Sequence, residues 1–136
     1  MGSEMCIRDS PHSYKTADAG EAFRDVPAQA FTIFLAHSPE TYREASQFQA
    51  QLYLCGHTHG GQICLPARVK RGPILTNSRA PRFTASGNWQ YQEMQGYTSR
   101  GAGSSSIPLR FNCTSEITLI TLSKGDPNSP ETPSSG

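Results

Sequence analysis

The chain has 136 residues, 12 basic and 11 acidic side chains and a formal charge of +1, and Leu, Ile, Val and Phe together make up only 17% of it. A charge this close to neutral excludes the repulsion-driven expansion of a disordered chain, so the scarce aliphatic residues, clustered in strand-like runs, indicate an incomplete core. No apolar stretch approaches the ~20 residues that span a bilayer, and the polar Met1–Ser10 lacks the apolar centre of a secretion signal.

In chain order, Met1–Ala17 shows no periodicity and is left unassigned. Asp18–Phe23 starts a helix that Pro27 stops, and Phe31–Ala36 reads as a fully buried strand ending at His37. Ser38 followed by Pro39 is a helix start with a side-chain cap, and the helix is expected to run to about Gln49, with Tyr42, Ala45 and Phe48 on one face and Arg43, Glu44 and Gln47 in water. Gln51–Cys55 is the next buried strand. A strand, helix, strand unit makes the two strands parallel, so both end on one sheet edge and bring His37 towards His57 and His59, where open α/β sheets place their sites.

Gln62–Leu65 reads as a short strand stopped by Pro66, and short strands are expected at Arg82–Ala85, Asn88–Glu93 and Gly96–Ser99 with glycine turns at Gly87 and Gly96. Ser104–Ser106 reads as a flexible link, and Glu116–Leu122 alternates Thr with Ile and Leu like a half-buried closing strand. Lys124–Gly136, rich in Pro, Ser and Gly, is expected to be disordered. The four cysteines, Cys6, Cys55, Cys64 and Cys113, form no Cys-x-x-Cys pair and no dense framework, and a Cys55–Cys64 bridge stays open.

Charge is unevenly distributed. Residues 68–110 carry seven basic groups, Arg68, Lys70, Arg71, Arg79, Arg82, Arg100 and Arg110, against one acid. This segment suits either an anion-attracting surface for a phosphate ester or an anionic lipid headgroup, or simply a solvated loop. No helix-turn-helix, zinc-finger or aromatic-rich sheet pattern accompanies the charge, so nucleic acid is not an expected partner.

The densest chemistry lies in Cys55-Gly56-His57-Thr58-His59-Gly60-Gly61-Gln62, two histidines two residues apart among glycines at the end of a strand. Imidazoles ligate zinc, manganese or iron, and glycines let the backbone aim neighbouring rings at one ion. A structural zinc module from Cys55, His57, His59 and Cys64 has suitable donors but poor spacing. Ser38, Ser104 and Ser106 lack the glycine-flanked elbow of a nucleophilic serine, and His12 reads as a surface residue.

Ala36-His37-Ser38-Pro39 followed by Gly56-His57-Thr58-His59-Gly60-Gly61-Gln62 resembles the calcineurin-like metallophosphoesterases, above all bacterial, often membrane-associated members. The likeness continues through Gly96–Gly103 and Ile107–Cys113 to Glu116–Leu122, so that it covers residues 18–123. The Asp-x-His, Gly-Asp-x-x-Asp and Asn-His-Asp/Glu segments of that family are absent; Gly125-Asp126-Pro127-Asn128-Ser129 and Gly87-Asn88-Trp89 are incomplete echoes of the last two. The chain therefore resembles the C-terminal part of such an enzyme, an incomplete layered α/β fold with sheets flanked by helices.

The resemblance implies metal-dependent hydrolysis of a phosphate ester at a pair of divalent ions, whether manganese, iron or zinc, with His37 and His57 on one ion and His59 on the other. Apart from these ligands it places no catalytic residue in this chain, and it makes Arg100 and Arg110 candidates for substrate contact. A membrane surface or anionic lipid is a further candidate partner, and the subgroup implies a membrane-associated or cytoplasmic protein. The alternative is a truncated, non-catalytic remnant that binds at most one metal.

Overall fold

The computed structural model describes residues 19–65, 72–73, 78–105 and 108–123, of which 72–73 are described as backbone alone. The unassigned N-terminal segment with His12, the tail from Lys124, and Pro66, Arg68, Lys70, Arg71 and Ser106 lie outside them. The elements are α1 (Ala19–Phe23), β1 (Ile33–Leu35), α2 (Tyr42–Gln47), β2 (Leu52–Cys55), β3 (Cys64–Leu65), β4 (Gly72–Pro73), β5 (Gly87–Tyr91) and β6 (Met94–Thr98).

The fold is α/β. Four strands form a mixed sheet in the order β1-β2-β6-β5, with β1 parallel to β2, β2 parallel to β6 and β5 antiparallel to β6, while β3 and β4 pair separately. The register aligns Phe34, Tyr53, Gly96 and Trp89 across the sheet, and on this face α1 and α2 pack. The core is aromatic: Phe23 stacks on Phe34 at 5.3 Å, and Tyr53 and Tyr42 lie 5.5 and 6.3 Å from Trp89. Rings compensate for few aliphatics, since each buries a large apolar area and pairs edge to face. Gly96 is part of this packing, because a Cβ there would lie 2.3 Å from the Trp89 ring.

The opposite face carries Ile33 and Leu35 of β1, Leu52 and Leu54 of β2, and Tyr97 of β6. Ile33 and Leu35 remain 37% and 39% exposed, so the expectation of a fully buried first strand is corrected: β1 is an edge strand with one covered face. The continuous apolar run reflects a strand type built for cover on both sides, and among the described residues that cover is missing from one side.

Other expectations also change. The helix start is a 3-10 turn at Pro39–Thr41, with Ser38 making no cap bond, and α2 closes at Gln47, two residues before the left-handed Gln49 (φ 61°). Tyr42 and Ala45 are buried as expected, whereas Phe48 is 45% exposed and stacks on Phe23. Arg82–Thr84 is a 3-10 turn and not a strand: Pro81 precedes it, and the Thr84 amide and hydroxyl both donate to the Pro81 carbonyl. Gly96 lies within β6, and the hairpin turns at Gln92 (φ 53°). The Ser104–Ser106 link is tethered at Ser105, whose amide donates to Gln62 Oε1 at 2.7 Å.

Glu116–Leu122 forms no strand among the described residues, and Ile117 and Leu119 are 93% and 91% exposed. A backbone bond from Glu116 N to Gly101 O at 3.0 Å and side-chain contacts set its position. Tyr97 Oη, on the open face, donates to Glu116 Oε1 and shares a bond with Thr118 Oγ1, so the segment meets the sheet through its surface and has no ladder to join. No helix among the described residues is long and apolar enough to cross a membrane.

Candidate metal centre

The site begins where β1 and β2 end together. The ladder continues one step past each strand, Ala36 N donating to Leu54 O at 3.0 Å and Gly56 N to His37 O at 3.2 Å, which fixes His37 beside the start of the glycine loop. The expected meeting of His37 and His57 is found: their ring centroids are 4.6 Å apart at an interplanar angle of 53°.

After β2 the backbone turns sharply. His57, His59, Gly60, Gly61 and Gln62 all have positive φ, at 67°, 50°, 62°, 77° and 54°. Three of these are not glycine, and a side chain in the left-handed region costs of the order of 1–3 kcal/mol, so this cluster of strain requires strong local bonding. Thr58 supplies part of it. It is buried, its hydroxyl donates to Ala85 O at 2.6 Å and accepts from Gly60 N at 3.2 Å, and its carbonyl accepts from Gly61 N at 2.8 Å. Gln62 extends the clamp, its amide nitrogen donating to Leu109 O at 3.0 Å. Gly60 is sterically required as well, since a Cβ would lie 2.7 Å from both Arg100 Cγ and Cys113 Sγ.

Burial and the neighbouring His37 hold the His57 imidazole below its ordinary pKa, with His59 adding to the effect and the Glu40 carboxylate opposing it. This favours the neutral ring, the form with a lone pair for a cation. His59 Nδ1 is buried without a hydrogen-bond partner among the described residues, which fits a nitrogen that a cation would satisfy. The donors therefore fit a metal in part. Two rings converge and a third nitrogen is unpaired, yet no group of three His, Cys, Asp or Glu side chains able to hold an ion occurs among the described residues.

The same finding gives the zinc module no support among the described residues. Cys55 is buried, with its thiol against Thr98 Oγ1 at 3.1 Å and its pKa pushed up to about 12 by burial, while Cys64 points to the Gly60 carbonyl at 3.2 Å. Burial in an apolar setting disfavours the thiolate that zinc requires. The Cys55–Cys64 bridge finds no support either, because these two thiols have different neighbours: Cys64 adjoins Cys113, and Cys55 adjoins Thr98.

Arg100 and Arg110 both lie at the loop, with their guanidinium groups engaged by protein. Arg100 Nε donates to Glu116 Oε2 at 2.7 Å and its amide to Oε1 at 2.9 Å, and the two side chains form an ion pair. Arg110 reaches the carbonyls of Arg100 at 2.7 Å, Gly101 at 3.2 Å and His59 at 3.3 Å, and also that of Gly103. A planar five-donor fork suits such carbonyl gathering. Sequence reasoning missed Thr58 as a buried clamp, Glu116 as the partner of Arg100, and the Cys64–Cys113 contact; each joins segments far apart in the chain, and no local spacing reveals them.

Parallel strands ending in converging histidines and a strained glycine loop define an α/β protein with a metal-type site, and comparison with known proteins supplies the family. The chain is 40% identical over 92 residues to the uncharacterized metallophosphoesterase YkuE of Bacillus subtilis (strain 168), covering 68% of this chain and 31% of that protein. It is 37% identical over 94 residues to the phosphodiesterase YaeI of Escherichia coli (strain K12), covering 66% and 32%. An uncharacterized metallophosphoesterase of Helicobacter pylori (strain J99 / ATCC 700824) is 35% identical over 107 residues, covering 77% and 27%. The chain belongs to the metallophosphoesterase family, and it spans about a third of the length of the curated relatives it matches. No family model and no solved structure matches. Membership implies a hydrolase family dependent on divalent metal ions.

Proposed function

We propose that this chain supplies the histidine side of a metal-dependent phosphoester hydrolase site, with His37 and His57 on one divalent ion and His59 on a second, and that it is inactive by itself. The observation that carries the reading is the 4.6 Å convergence of the His37 and His57 rings at the ends of two parallel strands. The unpartnered Nδ1 of His59 and the lowered pKa of His57 support it. When bound, paired ions in such enzymes activate a hydroxide and stabilise charge on the phosphoryl group. This chain's own part is to hold three imidazoles, His37 at the end of β1 and His57 and His59 on the glycine loop after β2.

The substrate class follows from the family: a phosphate monoester, diester or pyrophosphate. A membrane surface or anionic lipid remains a partner to test. The remnant reading, a non-catalytic chain that binds at most one metal, is favoured by one observation, that no three-donor group occurs among the described residues, and it differs from the first in the number of ions held. Titration of the chain with manganese(II), followed by paramagnetic broadening of the histidine ring signals, tests both. We expect broadening at His37 and His57 that His57→Ala abolishes, and no turnover of a chromogenic phosphodiester. Absence of broadening sinks the metal role, and turnover that His57→Ala removes sinks the claim of inactivity.

A further inference from the structure

We propose that Cys64 and Cys113 are a redox couple that closes to a reversible disulfide beneath the histidine loop. Cys64 lies on β3, and the chain returns to it at Phe111, which bridges Ile63 in parallel: Phe111 N donates to Gln62 O at 2.8 Å and Cys64 N to Phe111 O at 2.9 Å. Asn112 then takes a left-handed turn (φ 51°), with its side-chain amide 3.4 Å from Cys64 O, and swings Cys113 back under the loop. The two thiols meet on a single acceptor, Gly60 O, at 3.2 Å from Cys64 Sγ and 3.5 Å from Cys113 Sγ, and they contact each other.

Paired backbones on one side and a shared acceptor on the other bring the two thiols into contact, the first condition for a disulfide. The two members differ in access. Cys64 is half-buried, whereas Cys113 is 2% exposed and sits 3.8 Å from Arg110 Nη1. Both are free thiols in the reduced chain, and nothing in the metal reading uses either sulfur.

The oxidant is a small disulfide such as oxidised glutathione. Burial and the neighbouring Cys113 push the pKa of the half-buried Cys64 thiol up to about 11, so attack proceeds through its minor thiolate fraction: that thiolate attacks one of the small disulfide's sulfurs, the S–S bond breaks, and one thiolate leaves. The Cys113 thiolate then attacks the Cys64 sulfur of the mixed disulfide, the second small thiolate leaves, and the two protons lost by the cysteines end on the two leaving groups. The protein gives up two electrons and the small disulfide takes them. Closure removes the thiol bonds now made to Gly60 O and to His59 O, the latter at 3.3 Å from Cys113 Sγ, so oxidation acts on the backbone that carries the His59 ring.

The full chain, equilibrated in glutathione buffers of increasing oxidation, alkylated and mapped by non-reducing mass spectrometry, tests the proposal without any variant. We expect two of the four thiols to be lost, a single Cys64–Cys113 linked peptide in native buffer, reversal by dithiothreitol, and scrambling among all four cysteines in concentrated urea. The His59 ring resonance should shift on closure more than that of His37. Glutathione retained on Cys64 without closure, a native mixture of pairings involving Cys6 or Cys55, or the same distribution in urea as in buffer would each overturn it. None of these outcomes depends on whether the histidines bind metal.

Discussion

The two faces of the four-stranded sheet have unlike fates. On one, Phe34, Tyr53, Gly96 and Trp89 lie in register under α1 and α2, and Tyr53 and Met94 are essentially fully buried; on the other, Ile33 and Leu35 are more than a third exposed, and an apolar segment, Glu116–Leu122, hangs from Tyr97. The same strands serve both faces, so the difference does not arise from strand propensity. It arises from what each face is packed against. The histidine loop grows from the covered side: Thr98 at the end of β6 accepts from Trp89 Nε1 at 2.8 Å and donates to Thr84 O at 2.7 Å, one residue from the Ala85 carbonyl that anchors Thr58.

The largest effect is expected where the covered face has no spare room. Gly96→Ala places a methyl 2.3 Å from the Trp89 ring and must expel the indole from its contacts with Tyr53 and Tyr42. Losing a buried tryptophan typically costs about 3–5 kcal/mol, so this variant should lose its cooperative urea transition. A transition unchanged from that of the parent chain would show that the aromatic layer does not hold the fold.

Next comes the loop. Gly60→Ala combines a positive φ with 2.7 Å approaches to Arg100 and Cys113, and should destabilise by about 1–3 kcal/mol, read as a lower urea midpoint and faster hydrogen exchange at Gly61 and Gln62. Thr98→Val keeps the shape of the side chain and leaves Trp89 Nε1 and Cys55 without their partner; burying unsatisfied donors of this kind costs about 1–3 kcal/mol. Near-equal losses from these two variants would mean that loop and covered face unfold as one unit. Fast exchange confined to the loop in Gly60→Ala would separate them.

Acid should act selectively on the open side. Burial raises the Glu116 carboxyl, but the Arg100 amide and guanidinium and the Tyr97 hydroxyl outweigh it and hold the pKa below its ordinary 4.5. A carboxylate whose folded pKa is depressed adds stability above the unfolded value, and that stability is lost as pH falls through the folded one. Below about pH 4.5, therefore, the 116–118 segment should detach from Tyr97 and Arg100, seen as a Tyr97 resonance shift that Glu116→Gln shows already at neutral pH.

What the sequence disclosed divides along the same line. The parallel pair β1 and β2 and the convergence of His37 with His57 were legible because they follow from local periodicity and from the geometry of a strand, helix, strand unit. Misreadings gathered where a neighbour decides. Phe31–Ala36 reads as doubly buried because its composition anticipates cover that the described residues do not provide, and Glu116–Leu122 alternates like a strand but finds no ladder. Arg82–Thr84 departs from extension for a nearer reason: a proline before it and a threonine at its end, bonded back to that proline's carbonyl, favour a tight turn. The roles of Arg110, Glu116 and Cys113 depend on contacts between segments far apart in the chain, which spacing does not encode.

The smallest effect sharpens the comparison most. Ile117 and Leu119 are 93% and 91% exposed, so replacing both with serine removes almost no buried apolar surface from this chain. The double variant should keep its unfolding free energy to within about 0.5 kcal/mol, as surface substitutions do, while Tyr53→Ala on the covered face removes a fully buried ring and the bond from Tyr53 Oη to Ser38 O at 2.8 Å. Should the serine pair instead cost as much as a core deletion, these side chains must be buried in solution against the open face, and the two faces would be equals. If the midpoint holds and the variant becomes more soluble, the exposed apolar residues are surface that this chain's own described core does not need, and the asymmetry between the faces stands.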